Sequence, residues 1–198
     1  MKTIKKKLIF LNEGIVKKEI SKIKRKIQIL KKRKIKKRID NLFEWVQGAK
    51  LVELKTCDTR EDPVRPELDI IFRRSYGRKI YGVEYKKEIC AIMCFGFTND
   101  IPKTVEELDL MTQDAHLQST LRDQNVGKIA IAYTVWSKKK GGGKLIVKEV
   151  FKKIKESNHL NRLVTLSPLT DMARNFHLHN GAFELQVNEK TQNFEYKI

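Results

Sequence analysis

Ile129-Ala130-Ile131-Ala132-Tyr133-Thr134-Val135-Trp136, then Ser137, Lys138-Lys139-Lys140-Gly141-Gly142-Gly143 and Lys144-Leu145-Ile146-Val147, decide the fold. The first run is almost continuously apolar, with branched and aromatic side chains, and reads as a buried strand over 129–137. After the glycines, Leu145, Val147, Val150, Phe151 and Ile154 recur at helical spacing, which gives a helix over 144–157. A glycine turn between strand and helix lets backbone N–H groups face an anion, and the helix dipole adds favourable potential at the same place. Gly141, Gly142 and Gly143, flanked by Lys138, Lys139, Lys140 and Lys144, therefore read as a phosphate cradle. The same glycines without those flanks would be a linker, and the lysines a solvated charge run.

Working outward, residues 162–167 read as a strand, 170–178 as a short helix, and 182–187 and 193–198 as closing strands. Upstream, residues 51–56, 69–73, 79–85 and 88–97 read as strands, with Tyr85-Lys86-Lys87-Glu88 as a hairpin turn. Residues 99–128 interrupt the sheet with a partly helical insertion. Two polar residues stand out downstream. Ser167 ends a strand just before Pro168, and His177 sits near the end of the short helix, so the two can meet in one pocket. Taken singly, a hydroxyl there satisfies a loop amide, a histidine there answers the helix dipole, and Asn180 before Gly181 is an ordinary helix terminator. Glu84, Glu88 and Asp100 are candidate bases from the sheet edge, and their spacing selects none of them.

The run Lys138-x-x-Gly141-x-Gly143 resembles the pyrophosphate loop of the GNAT superfamily, with Lys138 where Arg or Gln is usual. Ala173-x-x-Phe176-His177-x-x-x-Gly181-Ala182 is similar to that superfamily's last-helix signature, with His177 where a Tyr is frequent. Thr165-Leu166-Ser167-Pro168 and Phe176-His177-Leu178-x-Asn180-Gly181-Ala182 resemble segments of the malonyl-CoA decarboxylases, which contain a GNAT-fold catalytic domain, and Cys94 to Pro102 is more weakly similar. The likeness covers the C-terminal half of the chain. It implies an α/β, GNAT-like mixed and mostly antiparallel sheet flanked by helices, a coenzyme A thioester as substrate, and no metal. Catalysis falls to His177 and Ser167, and coenzyme A binding to Lys138–Lys144 with strand N–H groups of Val135 and Trp136; Tyr133 and Asn180 are weaker substrate-binding candidates. Two reactions fit. In acyl transfer an amine attacks the thioester, a strand N–H polarises the carbonyl and His177 protonates the leaving thiolate. In decarboxylation His177 holds the malonyl carboxylate and Ser167 stabilises the enolate. The breadth of the superfamily and the compact chain favour transfer; the Ser and His favour decarboxylation. A third reading is a non-catalytic binding module on the same scaffold.

The chain has 198 residues and a net charge of +18, of which residues 1–40 supply a surplus of fourteen, from seventeen Lys or Arg against Glu13, Glu19 and Asp40. Basicity thus belongs to a helical extension, residues 1–48, and not to the acyl-CoA domain, residues 49–198. In the extension Ile15, Ile20, Ile23, Ile27, Leu30, Ile35, Ile39, Leu42 and Val46 fall mostly three or four apart, giving helices with a break near Ile35. This basic amphipathic segment reads as a helix pair packed on the domain with its lysines solvated, or as an arm whose residues 1–40 meet an anionic partner: nucleic acid, an anionic membrane surface or an acidic protein. Cys57, Cys90 and Cys94 have no metal-ligand spacing with the four histidines, and an odd number argues against a disulfide framework. No apolar stretch is long enough to cross a bilayer, and the expectation is a cytoplasmic, reducing location.

Overall fold

The computed structural model describes residues 21, 24–39, 41, 44–122 and 127–197, and the expectations for Ile15, Ile20, Ile23 and Leu42 lie outside them. Contacts within the chain divide it into Met1–Gly48 and Ala49–Ile198. In the first unit, residues 24–39 form one helix, α1, and residues 44–48 are helical too. The break expected near Ile35 does not occur. Neither Gly nor Pro stands there, and Lys and Arg are good helix formers.

The second unit holds an eight-stranded sheet of strands β1 Lys50–Leu54, β2 Lys79–Tyr85, β3 Glu88–Thr98, β4 Ile129–Ser137, β5 Arg162–Thr165, β6 Ser167–Pro168, β7 Ala182–Val187 and β8 Thr191–Tyr196. Their order is β1-β2-β3-β4-β5-β8-β6, with β7 on β8. All described pairings are antiparallel except β4 with β5. Helices α2 Ile70–Arg74, α3 Val105–Arg122, α4 Gly142–Lys155 and α5 Asp171–His179 complete the unit. Ala91 and Gly96 point to opposite faces of β3, since they stand five positions apart. Gly142 of α4 closes on Ala91, and Leu108 and Thr112 of α3 close on Gly96, so the sheet is covered on both faces. Ile80, Ile92, Cys94, Ile131 and Val164 fill the core on the α3 side.

Two local expectations change, at residues 69–73 and at the start of the helix after the glycines, while the insertion 99–128 is partly helical as its sequence reads. Where a strand over 69–73 is expected, Ile70–Arg74 form the helix α2, which Asp69 caps by accepting the N–H of Phe72 at 2.8 Å. The insertion 99–128 is dominated by the eighteen-residue α3. Helix α4 begins at Gly142 and not at Lys144: Gly141 takes φ +85°, and the N–H of Gly142 turns back to the carbonyl of Lys139 at 2.9 Å. The hairpin turn at Lys86 and Lys87 has both residues at positive φ, as a two-residue connection between twisted strands requires.

Candidate functional site

The site starts from an irregularity in β4. Cys94 pairs with Thr134 and Phe95 with Ala132, so Tyr133 is an extra residue on β4. At the same level β4 parts from β5: their parallel pairing runs from Ile129 with Arg162 to Ala132 with Thr165 and stops, after a last bond from Leu166 N–H to the Ala132 carbonyl. Residues 133–137 are left with one edge unpaired. The N–H of Lys138 bonds the Cys90 carbonyl on β3 at 2.9 Å. Alternation along β4 then turns the amides of Trp136 and Thr134 toward β3 and that of Val135 into the opening.

Ser167 and His177 meet at this opening. Ser167 Oγ lies 2.9 Å from His177 Nε2, and His177 Nδ1 lies 2.9 Å from the hydroxyl of Tyr196. Ser167 also donates to Thr165 Oγ1 at 3.1 Å, which in turn accepts the N–H of Phe194. Among the described residues the Tyr196 hydroxyl has His177 as its acceptor, so donation to Nδ1 leaves no buried O–H unpaired. That assigns the tautomer: Nε2 carries the proton and gives it to Ser167, whose own O–H goes to Thr165 Oγ1. The imidazole stacks on Phe194, ring centres 5.0 Å apart, with Phe176 edge-on. Burial pushes its pKa down to about 4, so it is neutral at pH 7. Ser167, His177 and Tyr196 line a cavity of about 70 Å³ together with Met93, Ala132 and Val135. No Asp, Glu, Lys or Arg is among its described lining residues.

A buried ionic cluster borders the opening, and the sequence offered no sign of it. Arg65 donates from Nε to the Tyr133 carbonyl at 3.0 Å and from its terminal nitrogen to the Leu166 carbonyl at 3.2 Å, bridging the strands where they part. Asp62 pairs with Arg73 at 2.9 Å, both side chains fully buried, and accepts the Thr134 hydroxyl at 2.8 Å. Arg73 lies over the ring of Trp136, 5.5 Å from its centre. Burial raises the Tyr133 phenol above its usual range, and its ring packs edge-on against Phe72.

The glycine turn lies beside the opening. Gly143 faces Phe176, where an added Cβ would sit 3.1 Å from the ring, and Gly142 is equally tight against Ser137 and Ala91. Two of the three lysines are engaged: Lys138 pairs with Glu61 and Lys139 lies over the ring of Tyr85. Lys140 and Lys144 are exposed. A second hollow of about 360 Å³ runs between α4 and the end of α5, lined by Lys144, Lys148, Phe151, Asn180, Tyr196 and Lys197. Asn180 also ends α5, its amide donating to the Phe176 carbonyl at 2.8 Å. Glu84, Glu88 and Asp100 line neither hollow. A larger cleft, about 570 Å³, lies over Tyr81, Phe95 and Phe97; it contains neither Ser167 nor His177, and its size alone does not make it the reactive site. Among the described residues no group of three or more His, Cys, Asp or Glu could hold a metal ion, and no helix is long and apolar enough to cross a membrane.

No family model matches the chain, and neither does any curated protein sequence. Solved structures do match. GphF, a GNAT-like decarboxylase solved with isobutyryl-CoA, superposes with a TM-score of 0.57 at 11% identity, over 75% of this chain and 98% of that one. An acetyltransferase from Bacillus subtilis, solved with CoA, gives 0.51 at 11% identity, over 76% and 97%. Malonyl-CoA decarboxylase from Cupriavidus metallidurans gives 0.45 at 20% identity, over 69% of this chain but only 36% of that one, so the chain spans about a third of it. Together with the parted strands and the glycine turn, the two higher scores show that the chain contains a GNAT-like fold.

Proposed function

We propose that the chain binds a coenzyme A thioester and decarboxylates a short malonyl-type acyl group on it. The observation that carries this reading is the donor chain Tyr196, His177, Ser167, which ends in an apolar cavity whose described lining has no charged side chain. The pyrophosphate would sit at the glycine turn, at the N-terminus of α4, where Lys140 and Lys144 add positive charge. The nucleotide end would occupy the hollow lined by Lys148, Phe151 and Lys197, and the acyl end would enter the opening between β4 and β5.

The chemistry follows from that placement. A carboxylate in an apolar cavity loses hydration, and breaking its bond to the adjacent carbon spreads the charge. CO₂ leaves, the electron pair moves onto the thioester oxygen as an enolate, and the carbon then takes a proton from water to give the acetyl thioester. Ser167, held by Nε2–H of neutral His177, would turn its O–H from Thr165 Oγ1 to the enolate oxygen, with the Val135 N–H as a second donor. A neutral imidazole supports this donor role better than the capture of a carboxylate as a cation.

Acyl transfer to an amine, the reaction to which the sequence alone leans, keeps one specific support: Val135 N–H would equally polarise a carbonyl under attack. It needs a base from beyond the cavity lining. Mass analysis after incubation with malonyl-CoA and no added amine decides between them. Acetyl-CoA should form, and Ser167→Ala should slow it about a hundredfold, the scale of one lost oxyanion donor. Free coenzyme A released only when an amine is added would establish transfer instead. Failure to bind either thioester would leave a non-catalytic scaffold.

A further inference from the structure

We propose that α1 is a binding element for duplex DNA, seated in the major groove. Ten of its sixteen residues are cationic, none is acidic, and all sixteen are exposed. At 3.6 residues per turn the cations point in every direction: Arg25, Lys32 and Lys36 share one side, Lys26, Arg33 and Lys37 the next, and Lys31, Lys34 and Arg38 lie roughly opposite the first. Ile27 and Leu30 fall beside Lys34 and Arg38, Ile35 and Ile39 between Lys31 and Lys32, and Ile29 beside Lys36, so they form no continuous apolar face. A helix lying on a membrane needs such a face. A helix inside a groove with phosphates on both walls needs charge all round.

The dimensions agree. Sixteen residues rise about 24 Å, and a helix about 10–12 Å across fits a major groove about 12 Å wide. Over that length a duplex carries roughly fourteen phosphates, against the ten cations of α1. Residues 24–39 contain no aromatic side chain on which an unpaired base could stack, so a duplex fits better than a single strand. Like charges four apart, as in Lys32 with Lys36 and Arg33 with Lys37, repel in the free helix. Neutralisation by phosphates removes that penalty, so binding should raise helicity.

The test uses the full chain and a fluorescently labelled twenty-base-pair DNA. Anisotropy should report binding at 50 mM salt that weakens about a thousandfold by 200 mM, as six or so phosphate contacts require. Far-UV circular dichroism should gain helical signal on adding DNA. The quadruple substitution Lys31→Gln, Lys32→Gln, Arg33→Gln, Lys34→Gln keeps helix propensity and should flatten the salt dependence markedly. Tighter binding to a single strand of equal length, or to phosphatidylserine vesicles, would overturn the assignment, as would an unchanged salt slope in the quadruple variant. Thermal denaturation establishes that this variant is folded. Because α1 contributes no residue to the thioester site described above, turnover of malonyl-CoA should be unaffected by the variant, and either proposal can fail alone.

Discussion

Burial among Phe176, Phe194 and Tyr196 holds the His177 imidazole at a pKa of about 4, below its ordinary value of 6.5. The unfolded chain therefore binds a proton between those values that the folded chain refuses, and folding stability falls as pH drops from 6.5 toward 4. The full shift corresponds to about 3 kcal/mol at the acidic end. Urea titrations at pH 7 and pH 4.5 should show this loss, and His177→Gln, which has nothing to titrate, should lack that part of it; equal pH dependence in both would mean the imidazole is not shielded. Tyr196 sets the tautomer, so Tyr196→Phe should leave Nδ1 without its donor, cost about 1–3 kcal/mol and slow turnover. Ser167 and His177 were legible because each lies in a short contiguous motif. Tyr196 was not, because it is the nineteenth residue after His177 and reaches it only when β8 pairs with β5. Nothing local in Asn193-Phe194-Glu195-Tyr196 distinguishes it from any other edge of a closing strand.

At the scale of elements, the strand, glycine turn and helix at 129–155 could be read directly, since apolar run, glycines and helical spacing are all local signals. Where α4 starts could not be. It depends on the left-handed backbone of Gly141, and any of the three glycines could have taken that conformation. The consequences differ by position. Gly141→Asn should be tolerated, because Asn adopts the left-handed region readily, whereas Gly141→Val should cost about 1–2 kcal/mol and disturb the helix start. Gly143→Val is a different lesion: its side chain would meet Phe176, the neighbour of His177, and obstruct the backbone approach proposed for the pyrophosphate. Isothermal titration should find coenzyme A binding weakened more by Gly143→Val than by Gly141→Asn, and equal affinities would remove the turn from the binding site. The α2 segment misled for the converse reason. Asp69-Ile70-Ile71-Phe72-Arg73 has strand composition, and a single capping carboxylate decided for a helix, leaving Ile71 exposed and Arg73 buried.

Across the second unit as a whole, the segment around residues 57–78 was the least legible part, because nothing local says where its charges go. Asp62, Arg65 and Arg73 are buried, and they reach carbonyls and a hydroxyl far along the chain at Tyr133, Thr134 and Leu166. Such contacts have no local signature; they exist only once the extra residue in β4 and the end of its pairing with β5 have left those carbonyls unused. The arrangement ties the loop to the opening where the thioester is proposed to enter. Breaking one side of a buried ion pair strands the other charge, so Asp62→Ala should destabilise the protein by about 3–5 kcal/mol, since Arg73 would remain buried without its carboxylate. Removing both charges, as in Asp62→Ala with Arg73→Met, should recover part of that loss, because the uncompensated cation goes with the carboxylate. Urea denaturation of the two variants and the parent checks both statements. If Asp62→Ala lies within about 1 kcal/mol of the parent, the pair is not the tie between loop and sheet, and the bridge made by Arg65 alone would have to hold the opening.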